Sequence, residues 1–171
     1  MIFRPSQRLN AKIKAGPLQA MPPHENPLAD WSAHLFVAGR RQYILLTNTK
    51  ALYSTVLDGR GITRVDGFID RALTSLRQFM ADDGLEAVYR QLVVPASGSV
   101  RFAKALDRSV TGSMNDLTKH AAYLLVEGER SPHEVGVRLN DIPMSALGRG
   151  RSTAYGIPRN VFRELVDEIG P

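Results

Sequence analysis

Residues 31–57 read WSAHLFVAGRRQYILLTNTKALYSTVL, and the fold class follows from them. Three runs rich in β-formers, Trp31 to Val37, Gln42 to Thr47 and Leu52 to Leu57, are separated by Ala38-Gly39-Arg40-Arg41 and Asn48-Thr49-Lys50. Connections this short join antiparallel neighbours. The spacing therefore predicts a three-stranded meander at about 31–57. Tyr43-Ile44-Leu45-Leu46 does not alternate, the pattern of a strand covered on both faces, and is expected to be central.

Helical spacing surrounds this meander. Phe68, Ile69, Ala72, Leu73, Leu76, Phe79 and Met80 recur at three and four residues, predicting an amphipathic helix opened by Asp66. Ser113 with Asp116 has the form of a capping box and predicts a helix over 113–126. Ser131-Pro132-His133-Glu134 predicts another, running to about Leu139. Near the start, Ile2-Phe3 reads as a strand and Ser6 to Ile13 as a short helix. Four prolines at 17, 22, 23 and 27 then mark an irregular connection. Leu85 to Leu92 reads as a short helix, Pro95 to Ser99 as a loop, and Ser99 to Leu106 as a return strand.

The expected fold is thus α+β: an antiparallel sheet of a meander plus a return strand, packed by amphipathic helices. One domain is expected over 1–147. Residues 148–171 read as a polar linker and a C-terminal helix from Pro158, docked on the same domain.

Composition narrows the function classes. The chain has 171 residues and no cysteine, which excludes a disulfide scaffold, thiolate metal ligands and a cysteine nucleophile. No apolar run approaches a membrane span and the first residues lack a signal-peptide pattern, so a cytoplasmic protein is expected, with no membrane partner. The net charge is +5, but its distribution is uneven. Arg4, Arg8, Lys12 and Lys14 stand near the start with no acid among residues 1–24. Arg149, Arg151, Arg159 and Arg163 stand near the end with none among 145–163. Joined in space, these would form one basic patch for phosphates or an acidic partner.

The densest polar stretch is Arg108-Ser109-Val110-Thr111-Gly112-Ser113-Met114-Asn115-Asp116. Hydroxyls at a helix N-terminus can cradle an anion, and the same residues can simply cap the helix. Asp116 and His120, four apart, have general-base spacing and also that of an ordinary exposed helical pair. No His-Glu-x-x-His or other metal-ligand spacing occurs and no cofactor motif is found, so neither a metal nor a cofactor is expected.

Several stretches together resemble a family of small bacterial proteins of unknown function. They are Met1-Ile2-Phe3-Arg4, Glu25 to Trp31, Tyr43 to Asn48, Arg108 to Leu117 and Leu139 to Ser145. The resemblance implies one domain ending near residue 147 and supplies no activity. Its pieces are polar turns, so the candidate polar site is Asp30, Trp31, Asn48, Arg108, Ser109, Ser113, Asn115, Asp116, His120, Asn140 and Asp141. Converging, they would make one site; dispersed, they are caps and turns.

The favoured expectation is a non-enzymatic binding or accessory protein with a basic surface, its partner nucleic acid or an acidic protein. A second reading is an enzyme on an anionic or phosphorylated small molecule at residues 108–120. A third, an interaction module accompanying a toxin or defence system, has no motif behind it. Oligomeric state is not readable from the sequence.

Overall fold

The meander forms as the spacing predicts in the computed structural model, which describes residues 1–106, 108–148 and 154–170. Strands β2 (Asp30–Ala38), β3 (Arg41–Asn48) and β4 (Ser54–Asp58) pair antiparallel in sequence order. The sheet as a whole is mixed, not antiparallel. Strand β1 (Ile2–Pro5) adds parallel to β2, and β5 (Arg101–Phe102) adds parallel to β1, giving the order β4-β3-β2-β1-β5. Parallel neighbours need a long crossover. The one between β1 and β2 is helix α1 (Gln7–Ile13) plus the proline-rich connection. The return strand expected over eight residues is two residues long. Strand β3 is paired on both sides, but β2 stands in the middle.

Helix boundaries differ where capping patterns compete with apolar stripes. Helix α2 (Val65–Asp82) starts after Arg64, so Asp66 lies inside the first turn, where it faces the helix dipole instead of capping. Two short helices, α3 (Glu86–Val88) and α4 (Val94–Ser97), are joined by a π-helical segment over Tyr89–Val93, so Pro95 is helical and not in a loop. A proline in a helix withholds an N–H, and a widened turn beside it accommodates the loss. Helix α5 (Arg108–Val126) begins five residues before Ser113. Ser113 does not cap: its hydroxyl donates back to the Ser109 carbonyl at 3.0 Å. Val110 packs on the core four residues before buried Met114, which carries the apolar stripe back past the expected cap. Helix α6 (Pro132–Leu139) has the expected capping box, with Ser131 and Glu134 bonding reciprocally. Helix α7 (Pro158–Ile169) follows.

Residues opposite one another on neighbouring strands share a face. The pairing Phe3↔Trp31↔Asn48 defines one face, and Arg4↔Ser32↔Thr47↔Ser54 the other. The first face is aromatic. Phe3 meets Phe68 of α2 edge-on at 5.2 Å, and Trp31 lies 6.1 Å from Phe162 of α7, which stacks on Tyr53 at 4.2 Å. Such pairs add specific geometry to apolar burial. The second face begins with polar residues, Arg4, Asp30 and Ser32, all buried. Helix α5 packs on it through β2. Among the described residues, no helix is long and apolar enough to cross a membrane.

Candidate functional site

The polar face is organised by one arginine. Arg4 is fully buried and all five of its N–H groups are used. Nε and Nη2 donate to the two Asp30 carboxylate oxygens at 2.8 and 2.9 Å. Nη1 donates to the carbonyls of Met21 and Lys104, and Nη2 also to that of Pro22. Asp30 accepts a further bond from the His24 backbone N–H. Arg4 therefore ties together β1, β2, the proline-rich connection and the chain beyond β5. It is not part of a surface patch, because its charge is neutralised inside the protein.

Two clefts open beside this pair, separated by Val110 of α5, which borders both. The larger, about 690 Å³, is a groove between α1 and α5 over the sheet. Its lining includes Arg8, Lys104, Ser6, Asn10, Ser32, His34 and Thr111. Among the described residues lining it there is no carboxylate. Burial, followed by the Arg8 charge, holds the His34 imidazole below its ordinary pKa and hence neutral at pH 7. The smaller cleft, about 360 Å³, is lined by His24, Asp30, Thr49, Lys50, Ser109 and Ser113 with apolar residues between them. The lining comes from five segments: the proline-rich connection, the first residue of β2, the β3–β4 turn, the chain entering α5, and the turn at Ser145–Leu147.

The structure brings together only some of the polar residues singled out in the sequence. Asp30, Ser109 and Ser113 share the smaller cleft. Trp31 and Asn48 support it from behind. The Trp31 indole N–H donates to Leu28, and the Asn48 amide donates to Pro27 and Asp30 while its oxygen accepts from Lys50 and Ala51. Arg108, Asn115, Asp116 and His120 are exposed on α5 and line neither cleft. Asp116 faces Lys119 at 3.4 Å, not His120. Asn140 is buried against β4, and Asp141 accepts a bond from Arg159 at 2.9 Å.

Among the described residues, the charges of the two basic ends are placed differently. Arg8 and Lys14 are exposed, and Lys12 donates to Gln42 at 2.6 Å. Arg159 is taken up by Asp83 and Asp141, and Arg163 lies beside Asp83. Arg149 and Arg151 lie outside the described residues.

His24, Lys50, Lys104 and Ser32 are cleft residues that no local pattern in the sequence marks, since each reaches a cleft through long-range packing, whereas Thr111 lies in the polar stretch 108–116. One signal was available: an arginine on the first strand and an aspartate opening the second suggest a buried pair. Among the described residues, no cluster of His, Cys, Asp or Glu is placed to hold a metal ion.

Fold and clefts together define an α+β domain with a mixed five-stranded sheet, one face aromatic and the other lined by a basic groove. The chain belongs to the family described as a domain of unknown function, DUF6933, whose model matches residues 2–161. No curated protein and no solved structure matches it.

Proposed function

We propose that this is a non-enzymatic nucleic-acid-binding protein, whose groove between α1 and α5 takes the phosphodiester backbone of a single strand. The observation that carries this is the groove's lining: Arg8 and Lys104 with no carboxylate among the described residues. Side chains of Ser6, Asn10 and Thr111 line the same groove. Guanidinium, ammonium, hydroxyl and amide groups are the usual donors to phosphate oxygens. Lys12 reaches Gln42 at the foot of the Arg40-Arg41 hairpin, so positive charge continues along the same edge. Asp116 and His120, the residues with general-base spacing, stand outside both clefts, which favours binding over catalysis. A cytoplasmic setting belongs to the same reading.

Fluorescence anisotropy with a single-stranded oligonucleotide of ~12 nucleotides, over a salt series, tests it. The expected result is affinity that falls steeply with salt, and a slope reduced by about 1–1.5 in the Arg8→Gln/Lys104→Gln variant, two phosphate contacts fewer. Binding that is absent at low salt, or indifferent to both substitutions, ends the reading. Capture of poly-glutamate without capture of oligonucleotide moves the partner class to an acidic protein.

A further inference from the structure

The smaller cleft is built differently from the groove, and its chemistry selects a different ligand. We propose that it is a binding site for a small organic monoanion, a carboxylate on an apolar body, with Lys50 and His24 at the head and Leu52, Leu106 and Leu147 along the body. The inference is independent of the nucleic-acid reading.

Charge is the first argument. Asp30 borders the cleft, but both its oxygens are held by the Arg4 guanidinium, so the pair adds no net charge. Among the described residues lining the cleft, that leaves Lys50 as the uncompensated charge, matched by one negative charge on a ligand.

Hydrogen-bonding direction is the second. The His24 ring accepts the Asn26 backbone N–H at Nδ1, at 3.0 Å, which places the neutral ring's own proton on Nε2. Burial holds this imidazole below its ordinary pKa, so it donates without carrying charge. The Ser113 proton is committed to the Ser109 carbonyl, leaving its oxygen only lone pairs to offer. That leaves Lys50 and the His24 Nε2–H, with the Ser109 hydroxyl beside them, as the donors, a set that carries one positive charge where a phosphate dianion brings two negative ones. A single carboxylate, with two oxygens, is met by one ammonium and one imidazole N–H.

Rigidity is the third. Lys50 rides on a turn pinned by the Asn48 side-chain oxygen, which accepts the Lys50 and Ala51 N–H groups at 3.2 and 2.9 Å. The same turn holds Leu52, buried, at φ 57, a left-handed conformation that an ordinary side chain adopts only when its surroundings impose it. The volume of about 360 Å³ falls in the range of small-molecule pockets.

Hexanoate is the probe, with hexan-1-ol and inorganic phosphate beside it, titrated against the full chain by calorimetry and by amide chemical shifts. Hexanoate is expected to saturate with a Kd below ~10 mM, with hexanol and phosphate each at least ~10-fold weaker. Lys50→Met changes an exposed side chain, and it is expected to weaken hexanoate ~10-fold while leaving hexanol unchanged. Ala146→Phe fills the cleft and abolishes hexanoate binding. Arg8→Gln, in the other cleft, leaves hexanoate affinity as it was. The proposal is overturned if hexanoate does not saturate, if hexanol or phosphate binds as tightly, if Lys50→Met is silent, or if Arg8→Gln weakens hexanoate as much as Lys50→Met does.

Discussion

Asn140 gives both ends of its carboxamide to the backbone of Ser54. Its Oδ1 accepts the Ser54 N–H at 2.7 Å, and its Nδ2 donates to the Ser54 carbonyl at 3.0 Å. Ser54 opens the edge strand β4, whose outward backbone groups would otherwise lack partners. An exposed edge invites pairing with another chain. The side chain acts here as a one-residue strand. Gly136, one helical turn earlier, lets α6 come this close: a Cβ there would stand 2.9 Å from Phe79 Cε2 and 3.3 Å from the Thr55 Cα.

Asn140→Ala should therefore cost about 2–4 kcal/mol, because it strands a buried N–H and a buried C=O. Asn140→Asp should do at least as much damage, since a carboxylate would face the Ser54 carbonyl. Gly136→Ala should cost about 1–3 kcal/mol through overpacking. Urea denaturation measures all three; a loss below the scatter of the method for Asn140→Ala would refute the edge-capping role.

Arg4→Met leaves the Asp30 carboxylate buried without its counter-charge, and a loss of about 3–5 kcal/mol is expected. Adding Asp30→Asn should restore much of that loss, because the uncompensated charge is gone. A double-mutant cycle in denaturant reads the coupling, and additive losses would mean that the two side chains act separately.

Acid should destabilise the fold through His24 and His34. Burial lowers both imidazole pKa values from the ordinary 6.5. Above that value both states are neutral and no difference arises. As pH falls below it the unfolded chain binds protons first, so stability declines until pH passes the folded values. His34→Gln should flatten the stability profile between pH 7 and acid, and an unchanged profile would contradict a lowered His34 value.

Alkaline titration should separate the tyrosines. Burial first, and the neighbouring Asp83 carboxylate second, push the Tyr53 phenol well above its ordinary value, and its hydroxyl donates to Asp83 at 2.9 Å. Burial raises Tyr89 as well. Phenolate absorbance in the folded protein should therefore lag for these two of the five tyrosines and appear with unfolding. Tyr53→Phe should remove one lagging group and cost about 1 kcal/mol.

The candidate site was half legible for a definite reason. Asp30, Ser109 and Ser113 stood out because polar turns are short patterns, and they do converge on one cleft. Asp116, His120 and Asn115 carried the same signal and face outward, on the side of α5 away from buried Met114, Leu117 and Ala121, where Asp116 and His120 fit the ordinary exposed pair that their spacing also allowed. Arg4 read as surface charge because a sequence shows a charge and not its partner, which lies 26 residues away at Asp30.

Local chemistry was enough for the sequence alone to determine the meander, the Ser131–Glu134 capping box, the apolar stripe of α2 and the start of α7 at Pro158. Alternation, turn residues and three-and-four spacing act within a dozen residues. Tertiary structure alone decided the parallel addition of β1 and β5, the early start of α5 and the two clefts beside Arg4 and Asp30. Parallel pairing, burial of an ion pair and the assembly of a cleft all join residues far apart in the chain. Their free energy exists only once the intervening segments are in place.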